Sequence, residues 1–308
     1  MRRLSVLLCS AALVVSCSSS DDSASDPSIT STSAVETSTA ETSTTETSAA
    51  ERPFEVFAPA SYSPDTAMPL VVLLHGFGAS GAIQEAYFRL EPLAEQRGFL
   101  FVHPDGTINA LGKRFWNATD ACCGFSSTVD DSAYLMSLIE QVQAQFNVDP
   151  KRIYLVGHSN GGFMSYRMAC EHADTIAAIV SLAGATYLDT DECDPTEPVS
   201  VLQIHGTADD TIAFDGGSIL GNEFPGALAT VTSWAAYNEC TGDAIDLPTP
   251  LDLEGSIAGD ESTATQFAGC PAGGATELWT IPGGSHIPGP SPTFSAEIID
   301  FLFDHPKP

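Results

Sequence analysis

Residues 152–162 read Arg-Ile-Tyr-Leu-Val-Gly-His-Ser-Asn-Gly-Gly, and residues 163–170 continue Phe-Met-Ser-Tyr-Arg-Met-Ala-Cys. After Arg152, residues 153–156 form an apolar, β-favouring run, and Arg152–Val156 reads as a strand. The segment from Asn160 onward reads as a helix. Between them stands G-x-S-x-G, centred on Ser159. A strand that turns sharply into a helix is the setting in which this pattern lifts a serine hydroxyl clear of a sheet. Glycines two before and two after leave room for neighbouring backbone. This stretch predicts an α/β architecture with a nucleophile at the carboxyl edge of a strand.

The flanking sequence continues the same rhythm. Leu70–Leu74 (LVVLL) is an uninterrupted apolar run, the pattern of a strand buried on both faces. Phe54–Phe57, Phe99–His103, Ile176–Leu182, Val199–Ile204 and Glu277–Ile281 also read as strands. Helices are expected over Gln84–Arg97 closed by Gly98, from Asp130 or Asp131 to about Phe146, and over Asn160–Glu171, Leu228–Tyr237 and Thr293–Phe303. Repeated β-then-α order implies one α/β domain over residues 53–308, a mostly parallel sheet with helices on both faces. Few residues separate Ile176–Leu182 from Val199–Ile204, too few for a large lid.

The chain has 308 residues, 40 acidic against 11 basic, for a net charge of −29. That excess excludes ordinary nucleic-acid binding, which needs cations to neutralise phosphates. It also argues against charge docking on anionic lipid and against anionic ligands such as phosphoesters. Arg2 and Arg3 precede an apolar run from Leu4 to Val15, too short to span a bilayer. Residues 1–16 therefore read as a signal peptide. Val14-Val15-Ser16-Cys17 resembles the lipobox of bacterial lipoproteins, which would lipidate Cys17 and anchor the chain to the outer face of a membrane. Residues 17–52 read as a linker. Of the 34 residues Ser18–Glu51, 19 are Ser or Thr and none is aromatic, so nothing there offsets the entropy of ordering. Six cysteines remain in the domain: Cys122, Cys123, Cys170, Cys193, Cys240 and Cys270. An even number in an exported chain reads as three disulfides, and no metal-ligand spacing is present.

A serine nucleophile needs a base, and the base an orienting acid. Among seven histidines, His286 is on a loop between the last strand and the last helix, from where it can reach across the sheet edge. His158 is inside the turn and cannot easily swing back to Ser159. His75 reads as a ligand of its own loop. Asp209, in His205-Gly206-Thr207-Ala208-Asp209-Asp210, follows a strand and should emerge at the same edge as Ser159. Asp210 is its competitor. The two oxyanion donors should be the backbone N–H groups of Asn160 and Phe77. Trp116, Phe115, Phe77 and Trp279 are aromatic candidates for a substrate-contact surface. No cofactor is needed for this chemistry.

LLHGFG, WN…CCG…VDD, VGHSNGG, HGTADDTI and GGSHIPG occur in this order between Phe54 and Phe303. Together they resemble poly(3-hydroxybutyrate) depolymerases and feruloyl or acetylxylan esterases, the carbohydrate esterase family 1 group of α/β-hydrolases. The resemblance implies Ser159 as nucleophile, Asp209 as acid, His286 as base, and a Cys240–Cys270 bridge. It departs at Ile287-Pro288-Gly289, where the group usually has Trp-Pro-Gly. For the other four cysteines, cross-links from the 122–123 pair to Cys170 and Cys193 are expected, in either order, and a vicinal bridge is ranked last. The expected protein is an exported, monomeric serine esterase acting on a polymeric or bulky ester of polyester or plant cell-wall type. A peptidase with the same triad and a non-catalytic surface lipoprotein are the rival classes.

Overall fold

Leu70, Val72 and Leu74 point into one hydrophobic core, and Val71 and Leu73 into another. The LVVLL run lacks alternation because both of its faces are covered. The computed structural model describes residues 52–308. The expected signal peptide, Cys17 and the linker up to Glu51 lie outside the described residues.

In chain order the elements are β1 (Val56–Phe57), β2 (Met68–Leu74), α1 (Gly81–Phe88), α2 (Leu90–Arg97), β3 (Leu100–Val102), β4 (Thr107–Ile108), β5 (Arg114–Phe115), α3 (Asp131–Gln145), β6 (Val148–His158), α4 (Asn160–Glu171), β7 (Ala178–Leu182), β8 (Ser200–Gly206), β9 (Gly216–Ile219), β10 (Asn222–Pro225), α5 (Ala227–Tyr237), β11 (Ala244–Asp246), β12 (Thr263–Phe267), β13 (Thr276–Ile281) and α6 (Phe294–Asp304). A nine-stranded sheet runs β1-β3-β2-β6-β7-β8-β13-β12-β11. Strands β3, β2, β6, β7, β8 and β13 are parallel; β1 and the β12–β11 pair add antiparallel edges. Side chains of α3 and α4, with Trp234 of α5, fill the core on one face, and those of α1, α2 and α6 fill the other. This is the mostly parallel, doubly covered sheet expected.

After β2 the chain moves to β3 on one side, and after β6 to β7 on the other. The loops leaving β2 and β6 therefore part at a topological switch point, where open α/β sheets place their sites. Residues 183–199, between β7 and β8, hold one 3₁₀ turn at Thr190–Glu192 and no lid helix.

The helix expected over Gln84–Arg97 is two helices. Arg89 takes φ 56° between them. Pro92 is the reason: in a continuous helix its ring would clash with the Phe88 carbonyl four residues back. The Glu85 carboxylate instead accepts the Leu90 and Glu91 N–H groups, 3.0 and 2.9 Å away, and starts the second helix.

The cross-linking expected among four cysteines is corrected. Cys122 is bonded to Cys123 and Cys170 to Cys193, while Cys240 pairs with Cys270. Cys170, at the end of α4, has its Cα 5.6 Å from that of Cys193, a usual separation for a bridged pair. The 122–123 pair instead lies near the start of α4, where Cys122 Sγ is 3.6 Å from Asn160 Nδ2.

The domain boundary also moves. Arg52 is the last residue of the expected linker, yet its side chain is buried against Asp131, Nη2 to Oδ1 2.7 Å, and its guanidinium is 3.6 Å from the Tyr134 ring centroid. The fold therefore includes Arg52.

Candidate active site

Ser159 is the N-cap of α4 with φ 54° and ψ −121°, a strained conformation for a residue with a side chain. The neighbouring glycines make it possible. A side chain at Gly157 would run into the Gly161 carbonyl, and one at Gly161 into the Leu74 carbonyl. The turn can close only where both positions lack a Cβ.

Three loops at this edge bring Ser159, His286 and Asp209 together. His286 Nδ1 is 2.8 Å from Asp209 Oδ2, and His286 Nε2 is 2.9 Å from Ser159 Oγ. A carboxylate only accepts, so Nδ1 carries the proton and Nε2 accepts from the serine hydroxyl. Asp209 Oδ1 takes the N–H groups of Thr211 and Ile212 at 2.9 and 2.8 Å. Burial pushes the Asp209 carboxyl up, but hydrogen bonds from His205 and His286 outweigh it and hold the group far below the ordinary carboxylate range. Asp210 is exposed, with its Oδ1 3.4 Å from Thr211 Oγ1, and takes no part in the line.

Asn160 follows the serine directly, and the loop that carries Phe77 runs beside it. A Cβ at Gly76 would lie 3.5 Å from Ser159 Cβ, so the 75–78 loop runs directly beside it. Asn160 opens α4, where first-turn N–H groups have no helical partner. Its side chain locks the approach: Oδ1 accepts from Trp116 N–H at 2.7 Å and Nδ2 donates to Trp116 O at 2.9 Å. Trp116 Nε1 donates to His75 O, 3.1 Å away. His75 Nε2 accepts from Gly106 N–H at 2.9 Å, so its Nδ1–H is the donor to Gly76 O, 2.8 Å away. His75 thus ties down its own loop, as expected.

A family model described as "Esterase PHB depolymerase" matches residues 55–236, more than half of the chain. The chain belongs to this esterase family. Ser159 and Asp209 lie inside the matched span; His286 lies beyond it and joins them through the fold. Feruloyl esterase B of Piromyces equi is 29% identical over 239 residues, covering 75% of this chain and 42% of that protein. Feruloyl esterase C of Emericella nidulans is 29% identical over 225 residues, covering 71% of each. The chain thus spans less than half of the first relative and most of the second. An acetyl xylan esterase from Aspergillus awamori has a similar fold, with TM-score 0.56 at 15% identity over 81% of this chain and 93% of that one.

In this esterase PHB depolymerase member the expected aromatic surface is largely corrected. Trp116, Phe115 and Trp279 are buried; of the four candidates only Phe77 is exposed, at 42%. Its partner is Phe125, 41% exposed, whose ring centroid is 6.3 Å away in an edge-to-face pair. Phe125 went unread because one exposed aromatic in a Cys- and Ser-rich loop has no periodicity. The signal available was its place two residues after the cysteine pair, in a tethered loop. His158 is the other omission. Its Nε2–H donates to the His286 backbone carbonyl at 2.9 Å, fixing the loop that carries the imidazole. Tyr87 OH donates to Pro288 O at 2.6 Å, and Glu254 Oε2 accepts Gly289 N–H at 2.7 Å, so the far side of that loop is held too.

Proposed function

We propose that the chain is an exported serine esterase that hydrolyses carboxylic ester bonds in a polymer or another bulky ester. The line Ser159–His286–Asp209, closed at 2.9 and 2.8 Å, carries this reading. His286 takes the Ser159 proton as the hydroxyl oxygen attacks the ester carbonyl. The N–H groups of Asn160 and Phe77 stabilise the oxyanion. His286 then protonates the leaving alcohol, and water repeats the cycle on the acyl-enzyme. Asp209 keeps the Nδ1–H tautomer and stabilises the imidazolium. These steps use only groups of the chain itself. Three disulfides fit an oxidising compartment outside the cytoplasm, in keeping with a signal peptide and an anchor at Cys17. We read the protein as a monomer.

The names of the feruloyl and acetyl xylan esterases above favour an acylated polysaccharide or similar ester. The absence of a lid helix between β7 and β8 and the exposed Phe77–Phe125 pair favour a large substrate over a deeply enclosed acyl chain. The test sets the full chain and Ser159→Ala side by side on nitrophenyl butyrate, methyl ferulate, acetylated xylan and polyhydroxybutyrate. Activity on at least one should fall about 10³-fold or more in the variant. Undiminished activity in Ser159→Ala would refute the assignment. Inactivity on all four, from protein that melts cooperatively, would turn the reading to a peptidase or a binding protein. Phe125→Ala should lower kcat/KM for the bulky esters more than for nitrophenyl butyrate; an equal loss on all substrates would remove the pair from substrate contact.

A further inference from the structure

Asp209 serves more donors than the line to Ser159 requires. His205, on β8, is 1% exposed, and its Nε2 stands 3.3 Å from Asp209 Oδ2, the same oxygen that receives His286 Nδ1–H at 2.8 Å. The same Nε2 is 2.8 Å from Ile212 O. Behind the ring, His205 Nδ1 is 3.0 Å from Gln203 Nε2. Gln203 Nε2 also donates to Gly184 O at 2.8 Å, and Gln203 Oε1 accepts from Tyr166 OH at 2.8 Å. Tyr166 is fully buried on α4, the helix that Ser159 caps.

The polarity of this chain is set at one end. The Gly184 carbonyl can only accept, so the Gln203 NH₂ group faces it. Its second N–H then faces His205 Nδ1, which must accept. Nε2 is left as the protonated nitrogen, 2.8 Å from Ile212 O and 3.3 Å from Asp209 Oδ2, so its proton can be shared between the two oxygens. The other groups facing this assembly are Phe214, whose ring centroid is 5.7 Å from that of His205 in an edge-to-face arrangement, and His286 and His158 on the side of the serine.

We propose that Tyr166, Gln203 and His205 are positioning residues for the reaction: they hold a second N–H on Asp209 Oδ2 and thereby set how strongly that carboxylate binds the His286 imidazolium. The inference rests on the triad proposed above. An oxygen shared between two imidazole donors is a weaker partner for either one. Without the His205 N–H, Oδ2 serves His286 alone, and the imidazolium gains stability. The acid limb of the kcat/KM profile should then move to higher pH. The carboxylate also loses a brace, so the plateau should fall.

The experiment compares His205→Phe, His205→Gln and Gln203→Leu with wild type in the full chain, as kcat/KM against pH on nitrophenyl butyrate. His205→Phe should raise the acid limb by about 0.5–1 pH unit. Its plateau should fall about tenfold, the scale of one hydrogen bond to a charged group. His205→Gln can present an amide N–H near the Nε2 position and should stay within about threefold of wild type. Gln203→Leu should move the limb in the same direction by less. A plateau that falls with an unmoved limb in His205→Phe, or a glutamine variant no better than the phenylalanine one, would overturn the proposal. If His205→Phe does not fold, the wild-type protein still decides. Long-range ¹H–¹⁵N spectra should find His205 protonated at Nε2, and an Nδ1–H tautomer would overturn the proposal. That readout does not depend on activity, so it stays distinct from a failure of the triad, which an active Ser159→Ala would reveal.

Discussion

His158 is next to Ser159 in the chain yet turns away from it, donating to the His286 carbonyl. Burial pushes its pKa down to about 4. The unfolded chain, with an ordinary histidine near 6.5, therefore takes up this proton first as pH falls. The His158 contribution to stability is complete above pH 6.5 and is lost between there and pH 4, at up to about 1.4 kcal/mol per pH unit. His75, lowered chiefly by burial, acts in the same direction. Asp209 titrates in a separate window, because its depressed carboxyl costs stability only as pH falls below the ordinary carboxylate range. His158→Gln, which keeps an N–H donor without the titration, should flatten the decline between pH 6.5 and 4 in urea unfolding. Curves for variant and wild type that stay parallel across that window would exclude the assignment. Ser159, Asp209 and His286 were readable as a candidate triad because each lies just past a strand in a distinctive loop. The work of His158, Gln203 and His205 was not, since nothing in one dimension says which carbonyl a ring will meet.

The N-terminal arm shows how an element can be misread from composition alone. Arg52 closes a stretch of Ser and Thr, yet it forms a buried pair with Asp131 at the head of α3. Burial raises the Asp131 carboxyl, while Arg52 and the Asn117 N–H pull it back. Arg52→Ala would leave that carboxylate enclosed without its cation, at a cost of about 3–5 kcal/mol. Chemical denaturation should register this as a lower midpoint with an unchanged slope; a loss under ~1 kcal/mol would mean that the arm does not brace α3. Strands β2 and β7 and the 153–156 part of β6 were legible from apolar runs buried on both faces, while β8 and β13, interrupted by Gln203, Glu277 and Thr280, were legible from shorter ones. Strands β11 and β12 were not, being short and partly polar. The break at Arg89 was available from Pro92, whose ring forbids the continuous helix.

At the scale of the molecule, two bridges close long loops. Cys170–Cys193 spans 23 residues and Cys240–Cys270 spans 30. By chain entropy each stabilises by about 3–4 kcal/mol. Replacing both cysteines of either pair by serine should lower the melting temperature clearly, and an unchanged Tm would exclude a stabilising role for that bridge. The partner of Cys170 was undecidable from spacing, since its pairing with Cys193 follows a Cα separation that only the packed helix α4 establishes. The fold class was legible earlier, from the β-then-α order alone. Strand β13 carries a further consequence. It is the last strand in the chain, yet it lies inside the sheet between β8 and β12, and His286 follows it closely. During synthesis the sheet therefore keeps an open slot until β13 emerges, and on the proposed mechanism a nascent chain carries Ser159 without its base until His286 follows. On that reading activity arrives only with β13 and His286, so a stop anywhere before β13 should yield an inert product rather than a weakened one.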